Sequence, residues 1–340
     1  MKGKKVVSMV AIVIVAALVL SACGGNGGGG ATTGGTSPDQ VFTLNLSTAL
    51  SETHPIAQGF ARLAESVEER SEGRLILQVF PGGQLGSDDE VVEQIRQGVN
   101  NAILTDGSNM GNFVPSFGIL MAPYLAESYD DMLRIVNSDT FAEWSEELAE
   151  GYNLRVLSFA WYDGLRHFMT NTPIITPDDL SGVRIRTPGS AVFQESVRAM
   201  GATPIAMPFG ETYPALQQGA VDGLEVQFSA AYTASLYEVL SYINKTGHFH
   251  LQNGVVTSES WFRSLPDDLQ QILMEEVARH GEETARIVQG LSDEFQAAMV
   301  AQGMTVVEPD LEAFRAAAME VYETLELTEL RDKLFAELGF

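Results

Sequence analysis

A chain of 340 residues with 45% apolar side chains is long enough for one large domain or two lobes around a buried core. Its 45 acidic residues against 20 basic ones give a net charge of −25, which argues against a nucleic-acid partner, since phosphate binding needs a basic footprint. Cys23 is the only cysteine and lies near the N-terminus, which leaves no thiol nucleophile for the body of the chain.

The N-terminus reads as an address. MKGKK is a positive stretch, and Val6 to Leu20 is an apolar run of 15 residues. That is shorter than the ~20 residues that comfortably span a bilayer, so residues 1–22 are expected to be a secretory signal peptide. Leu20-Ser21-Ala22-Cys23 resembles a bacterial lipobox, in which Cys23 becomes the lipidated first residue. The Gly/Thr/Ser-rich segment over 23–40 then serves as a flexible tether, with a reach of about 20 Å. The expected location is extracytoplasmic and lipid-anchored to the cell membrane, in a periplasm or on the outer face.

Downstream, VFTLNLSTAL alternates apolar and polar residues, which predicts a strand from Val41. His54-Pro55 opens a helix with Ile56, Phe60, Leu63 and Val67 on one face. Arg74 to Phe80 is a second strand, and Ser87-Asp88-Asp89 looks like a helix cap. Asn101 to Thr105 is a third strand, ending in a turn at Asp106. Further strands are expected at Leu154 to Trp161, Gly182 to Thr187, Ala220 to Val226 and Tyr242 to Leu251. Ala191 to Met200 and Thr212 to Gln218 read as helices, joined by an extended connection over Thr203 to Pro208. One long amphipathic helix runs from Pro266 to about Ala301, then a strand at MTVVEP and a terminal helix from Asp310. No internal repeat is evident.

Alternating β and α units argue for parallel or mixed sheets covered by helices. Ligands of open α/β sheets sit beyond the carboxyl ends of strands. Asp106, Asp163-Gly164 and Arg186-Thr187-Pro188 are therefore candidate cleft positions. Catalytic signals are weak by comparison: there is no Gly-x-Ser-x-Gly elbow and no His-Glu-x-x-His. His248 and His250 share a strand face at a metal-compatible spacing, but no third ligand is evident nearby.

The segment DLSGVRIRTPGSAVFQESVRAMGATPIAMPFGETYPALQQGAVDGLEVQ, from Asp179, resembles the central motif of the DctP-type solute receptors of tripartite ATP-independent periplasmic (TRAP) transporters. HPIAQGFARLAESVEERSEGRL, FPGGQLGSDDEVVEQIRQG, NFVPSF and WYDGLRHF recur in the family's order, so the resemblance covers the chain from about residue 41 to the end. It implies an α/β, two-lobe, periplasmic-binding-protein-like (type II-like) fold with mixed sheets and a long helix spanning both lobes. The expected lobes are 41–163 with 252–291, and 164–251 with 292–340.

The resemblance also implies a receptor that binds a small organic acid and delivers it to the membrane subunits of a TRAP permease. It implies no catalysis and no cofactor. In Ile185-Arg186-Thr187-Pro188, Arg186 takes the role of the arginine that forms a bidentate pair with the ligand carboxylate. Arg166 matches a second cationic contact, Phe209 an aromatic that lines the pocket, and Asp106 a polar contact. Asp222-Gly223-Leu224-Glu225-Val226 departs from the family pattern, because Val226 replaces an amide. Gln227 or a water is the candidate to replace it, and Glu225 is read either as a structural hydrogen-bonding residue or as a metal–carboxylate contact as in some relatives. Strand alternation places Arg184 and Arg186 on one face, with Arg186 expected in the cleft and Arg184 at its rim. The rival functions are a sensing receptor on the same fold, with a membrane signalling partner, and an extracytoplasmic hydrolase.

Overall fold

The computed structural model describes residues 40–340, so the leader, Cys23 and the tether up to residue 39 lie outside the described residues. The strands are β1 (Phe42–Ser47), β2 (Leu75–Phe80), β3 (Asn101–Asp106), β4 (Leu154–Thr170), β5 (Arg184–Thr187), β6 (Thr203–Ala206), β7 (Gly223–Gln227), β8 (Tyr242–Ser258) and β9 (Thr305–Val307). They form one mixed nine-stranded sheet in the order β2-β1-β3-β8-β4-β7-β5-β6, with β9 beside β8. The outer groups are parallel: β1 with β2 and β3, and β5 with β6 and β7. The antiparallel strands β4 and β8 join them.

Those two central strands account for the largest departure from expectation. β4 was expected to stop at Trp161 and β8 at Leu251, but each runs for 17 residues. Asp163-Gly164 and Asn253-Gly254 carry turn-like composition, yet they lie inside the ladder. Their polarity marks the middle of the pair, where the register shifts repeatedly between Val156 and Phe168. β3 pairs with residues 253–257 of β8, whereas β7 pairs with residues 166–170 of β4. One continuous sheet thereby serves both halves of the molecule, in place of separate sheets.

Local chemistry explains the layers. Ala102 and Leu104 of β3 pack with Ile56, Phe60 and Leu63 of the helix Pro55–Arg70 and with Leu273 and Val277 of the long helix Asp267–Ala301. Ile103 turns to the opposite cluster, with Val91, Ile95 and Phe117. Pro55 stands in the first turn of its helix, where no N–H is required, and the His54 side chain caps it by accepting the Ile56 N–H at 3.2 Å. Close approach of the long helix to β4 requires glycine: a Cβ at Gly281 would stand 2.9 Å from Trp161 Nε1. Gly59, on the neighbouring helix, would likewise meet Thr284 Oγ1 at 2.4 Å.

The C-terminal region differs from the single helix expected. It breaks into Leu311–Ala318, Glu320–Thr324 and Thr328–Leu338, with Glu326 at φ 55°. Its last helix, expected with the second lobe, packs on elements of the first. Glu337 accepts hydrogen bonds from the Asp139 N–H at 2.9 Å and the Thr140 hydroxyl, and the Tyr322 hydroxyl donates to the Pro123 carbonyl at 2.9 Å. No helix among the described residues is long and apolar enough to cross a membrane.

Candidate ligand-binding cleft

The carboxyl ends of the parallel strands converge on one cleft of about 650 Å³. From the first half come Thr48 after β1, Gly82 after β2, Asp106 at the end of β3, and Asp88 at the start of the helix Asp88–Arg96. From the second come Arg186 on β5, Met207 and Phe209 after β6, and Gln227 at the end of β7. Asp163, Arg166 and Asn253 enter from the long strands between them. This is the crevice expected of an open α/β sheet, within the roughly 300–1,000 Å³ range of small-molecule sites.

Arg186 is 4% exposed. Its Nε and Nη2 donate to the Met207 carbonyl at 3.1 and 2.8 Å, and the guanidinium lies 5.6 Å from the Phe209 ring centroid. One edge of the fork is thus fixed by a backbone oxygen, while Nη1 has no partner among the described residues. Every other arginine there except the exposed Arg62 lies within 4.0 Å of a carboxylate. Burial lowers the Arg186 pKa to about 10, opposed by the carboxylates of Glu225, Asp88 and Asp106. It remains a cation at neutral pH.

Arg184, two residues earlier, has the opposite surroundings. It grips Asp222 with Nε and Nη2, at 2.9 and 2.6 Å, in a partly exposed pair outside the cleft lining. A carboxylate of the chain already fills its fork.

Arg166 donates from Nε to the Glu225 carboxylate and from Nη2 to the Glu225 carbonyl at 2.8 Å, with Phe193 5.0 Å below its guanidinium. Glu225 was expected among the ligand contacts, and the structure places it elsewhere. It is fully buried behind the lining, between Arg166 and the Thr187 hydroxyl, which donates at 3.1 Å. Burial pushes its carboxyl up, and the guanidinium of Arg166, then that of Arg186, pulls it down. Its role is to fix and neutralise Arg166, whose Nη1 is left without a protein partner among the described residues.

Gln227 is 3% exposed and donates Nε2 to the Asp163 carboxylate, which leaves its Oε1 buried without a partner. Asp163 is held by the Ser229 hydroxyl at 2.8 Å and faces His54 Nε2 at 3.3 Å. Because His54 Nδ1 accepts the Ile56 N–H, Nε2 carries the ring proton. The cap of one helix is thereby tied to the middle of β4. Asp106 caps the turn after β3 through Oδ1, accepting the Ser108 N–H at 2.8 Å.

Asp88 was legible only as a helix cap, and the structure adds it to the cleft. Burial, with like charges on Asp106 and Asp89, pushes its carboxyl up to about 7, while Arg186 pulls it down. The Met207 carbonyl is a backbone contact that no side-chain pattern announces. His248 is buried and stacks on Phe168 at 4.5 Å, and the half-buried His250 pairs through Nδ1 with the Tyr162 hydroxyl at 2.9 Å.

The family model of the bacterial extracellular solute-binding proteins, family 7 (DctP), matches residues 46–328. The chain belongs to this family. The sialic acid-binding periplasmic protein SiaP of Vibrio cholerae is 31% identical over 78% of this chain and 82% of its own length. A TRAP periplasmic solute-binding protein from Ochrobacterium anthropi, solved with bound L-fuconate, superposes with a TM-score of 0.85 at 29% identity, over 88% of this chain and 99% of that one. Another, from Fusobacterium nucleatum with bound sn-glycerol 3-phosphate, gives a TM-score of 0.84 at 29% identity, over 87% of this chain and 97% of that one. This DctP-family protein is thus a solute receptor of TRAP transport with the two-lobe α/β fold, and not an enzyme.

Proposed function

We propose that the cleft captures a small organic acid, with the ligand carboxylate seated on Arg186 and the free Nη1 of Arg166, and presents it to a TRAP-type permease. A buried guanidinium that stays charged, and that has no carboxylate within 4.0 Å among the described residues, carries this reading. Its planar fork fits a carboxylate, and a charge-assisted hydrogen bond contributes roughly 1.5–3 kcal/mol. Phe209 supplies an apolar wall, and Asp106 and Gln227 the polar contacts. The lobes, expected as 41–163 with 252–291 and 164–251 with 292–340 but with the last helix, Thr328–Leu338, on the first, hinge where β4 and β8 change register. Their closure removes the Arg186–carboxylate pair from water, and the closed shape is what the permease recognises.

Cys23 carries the lipid anchor that keeps the receptor beside its permease. Supporting this are the lipobox-like Leu20-Ser21-Ala22-Cys23 and the glycine-rich segment after it. Thermal unfolding of the protein against a panel of organic acids tests the binding role. At 100 times Kd a ligand adds about 2.7 kcal/mol, which raises Tm by roughly 5–10 °C for a chain of this size. A shift from an organic acid supports the reading, whereas shifts confined to neutral sugars or peptides would refute it.

A further inference from the structure

We propose that the cleft selects a singly charged, polyhydroxylated acid of the aldonate or uronate type, and rejects small dicarboxylates, through a wall of unspent hydrogen-bond acceptors facing the arginines. The inference rests on the organic-acid role proposed above and narrows it to one chemical class.

Charge is the first observation. Arg166 is matched by Glu225 inside the protein, so the arginine pair offers the ligand a single net cation, Arg186. Asp88, Asp89 and Asp106 share the same cleft. A second carboxylate on the ligand finds no second cation and lies among these acids. Burial is the main cause of the raised Asp88 carboxyl, and the like charges of Asp106 and Asp89 add to it, so a second ligand carboxylate on this wall would meet the same repulsion.

Hydrogen-bonding sense is the second observation, and it is independent of net charge. The Gln227 amide is oriented by its Nε2 donating to Asp163, so the atom left over is Oε1, buried and unpartnered. Asp106 spends Oδ1 on the Ser108 and Asn109 N–H groups, while Oδ2 has no partner among the described residues. Asp88 adds a further carboxylate to the lining. All three ask for donors. Succinate ionised at neutral pH has none and malate has one, whereas a sugar acid carries a hydroxyl on successive carbons beyond its carboxylate. An ammonium has three donors, but they sit on one atom, whereas the acceptors come from three separate elements, the ends of β3 and β7 and the start of the helix Asp88–Arg96; an acceptor left unpaired on ligand closure is costly.

Isothermal titration calorimetry of the purified protein at pH 7.5 separates these alternatives. The probes are a set of six-carbon aldonates and uronates, succinate and malate as dianions, hexanoate as a monoanion without hydroxyls, and serine as a zwitterion. The expected result is one sugar acid binding at least 100-fold tighter than succinate, hexanoate or serine. A dianion, hexanoate or serine binding as tightly as the best sugar acid would overturn this inference while leaving an acid receptor in place. Binding of neutral sugars alone, or of no acid at all, would count against the receptor role itself. In Asp88→Asn, with folding checked by circular dichroism and unliganded Tm, the preference for sugar acid over succinate should shrink at least tenfold. An unchanged ratio would remove Asp88 from the selective wall.

Discussion

Arginines are treated in opposite ways on the back of the molecule and in the cleft. Behind the sheet, Arg70 holds Glu276 and Glu275 at 2.6 and 2.7 Å, and Arg279 reaches Glu276, Glu283 and the Ser66 hydroxyl. Both of these forks are closed by the chain, and the network joins the helix Pro55–Arg70 to the long helix. In the cleft, Arg186 is more deeply buried than either, yet among the described residues it donates only to the Met207 carbonyl. A buried charge normally requires a partner. The first region therefore fastens structure, and the second holds its binding capacity open for something the chain does not contain.

Removing the cleft cation should give the largest effect. Arg186→Ala is expected to weaken acid binding by at least 100-fold, in line with about 3 kcal/mol for truncating one side of a buried charge pair. The unliganded Tm should hold or rise, because an uncompensated buried cation is gone. Calorimetry and melting curves on one preparation read both quantities. A large fall in Tm with unchanged affinity would reverse the roles assigned to the two regions.

The converse substitution, Glu276→Ala, should cost about 2 kcal/mol, reduced from the value for fully buried pairs because Arg70 and Arg279 are partly exposed. Tm should drop by roughly 4–8 °C, with ligand affinity unchanged.

Smaller effects come with pH. His167, His248 and His250 are all depressed by burial, His167 to about 3 and His250 to about 4, from an ordinary value of 6.5. As pH falls below 6.5 the unfolded chain takes up protons that the folded protein refuses, so stability is lost progressively between 6.5 and about 4. His250→Phe should flatten that part of a Tm–pH curve. Asp88 acts in the opposite sense. Its folded value of about 7 lies above the ordinary 3.8, so ionisation penalises the fold as pH rises through that window. Unliganded Asp88→Asn should therefore melt slightly above the parent at pH 8 and level with it near pH 4. Separately, Cys23→Ala should move the protein from the membrane fraction to the soluble extracytoplasmic fraction.

Much of the fold was legible because its signals are local. His54-Pro55 and Ser87 mark helix starts, and alternation in β1 marks a strand. Arg186 stood out because a proline two residues on ends its strand beside the expected crevice. The central strands were harder, since Asp163-Gly164 and Asn253-Gly254 carry turn chemistry in the midst of a ladder. The ligand-contact reading of Glu225 gave way to its structural alternative for a non-local reason. Its partner Arg166 lies 59 residues away, and only the antiparallel register of β4 and β7 brings the two together. Asp88 stayed hidden because a carboxylate in a first helical turn already has an ordinary explanation there.

The most direct measurement is a crystal structure of the protein with the organic acid that gives the largest thermal shift. The ligand carboxylate is predicted to lie within hydrogen-bonding distance of Arg186 and of Arg166 Nη1, with Glu225 still behind Arg166. A ligand bound with its neutral end on Arg186, or with its carboxylate outside the cleft, would contradict the account.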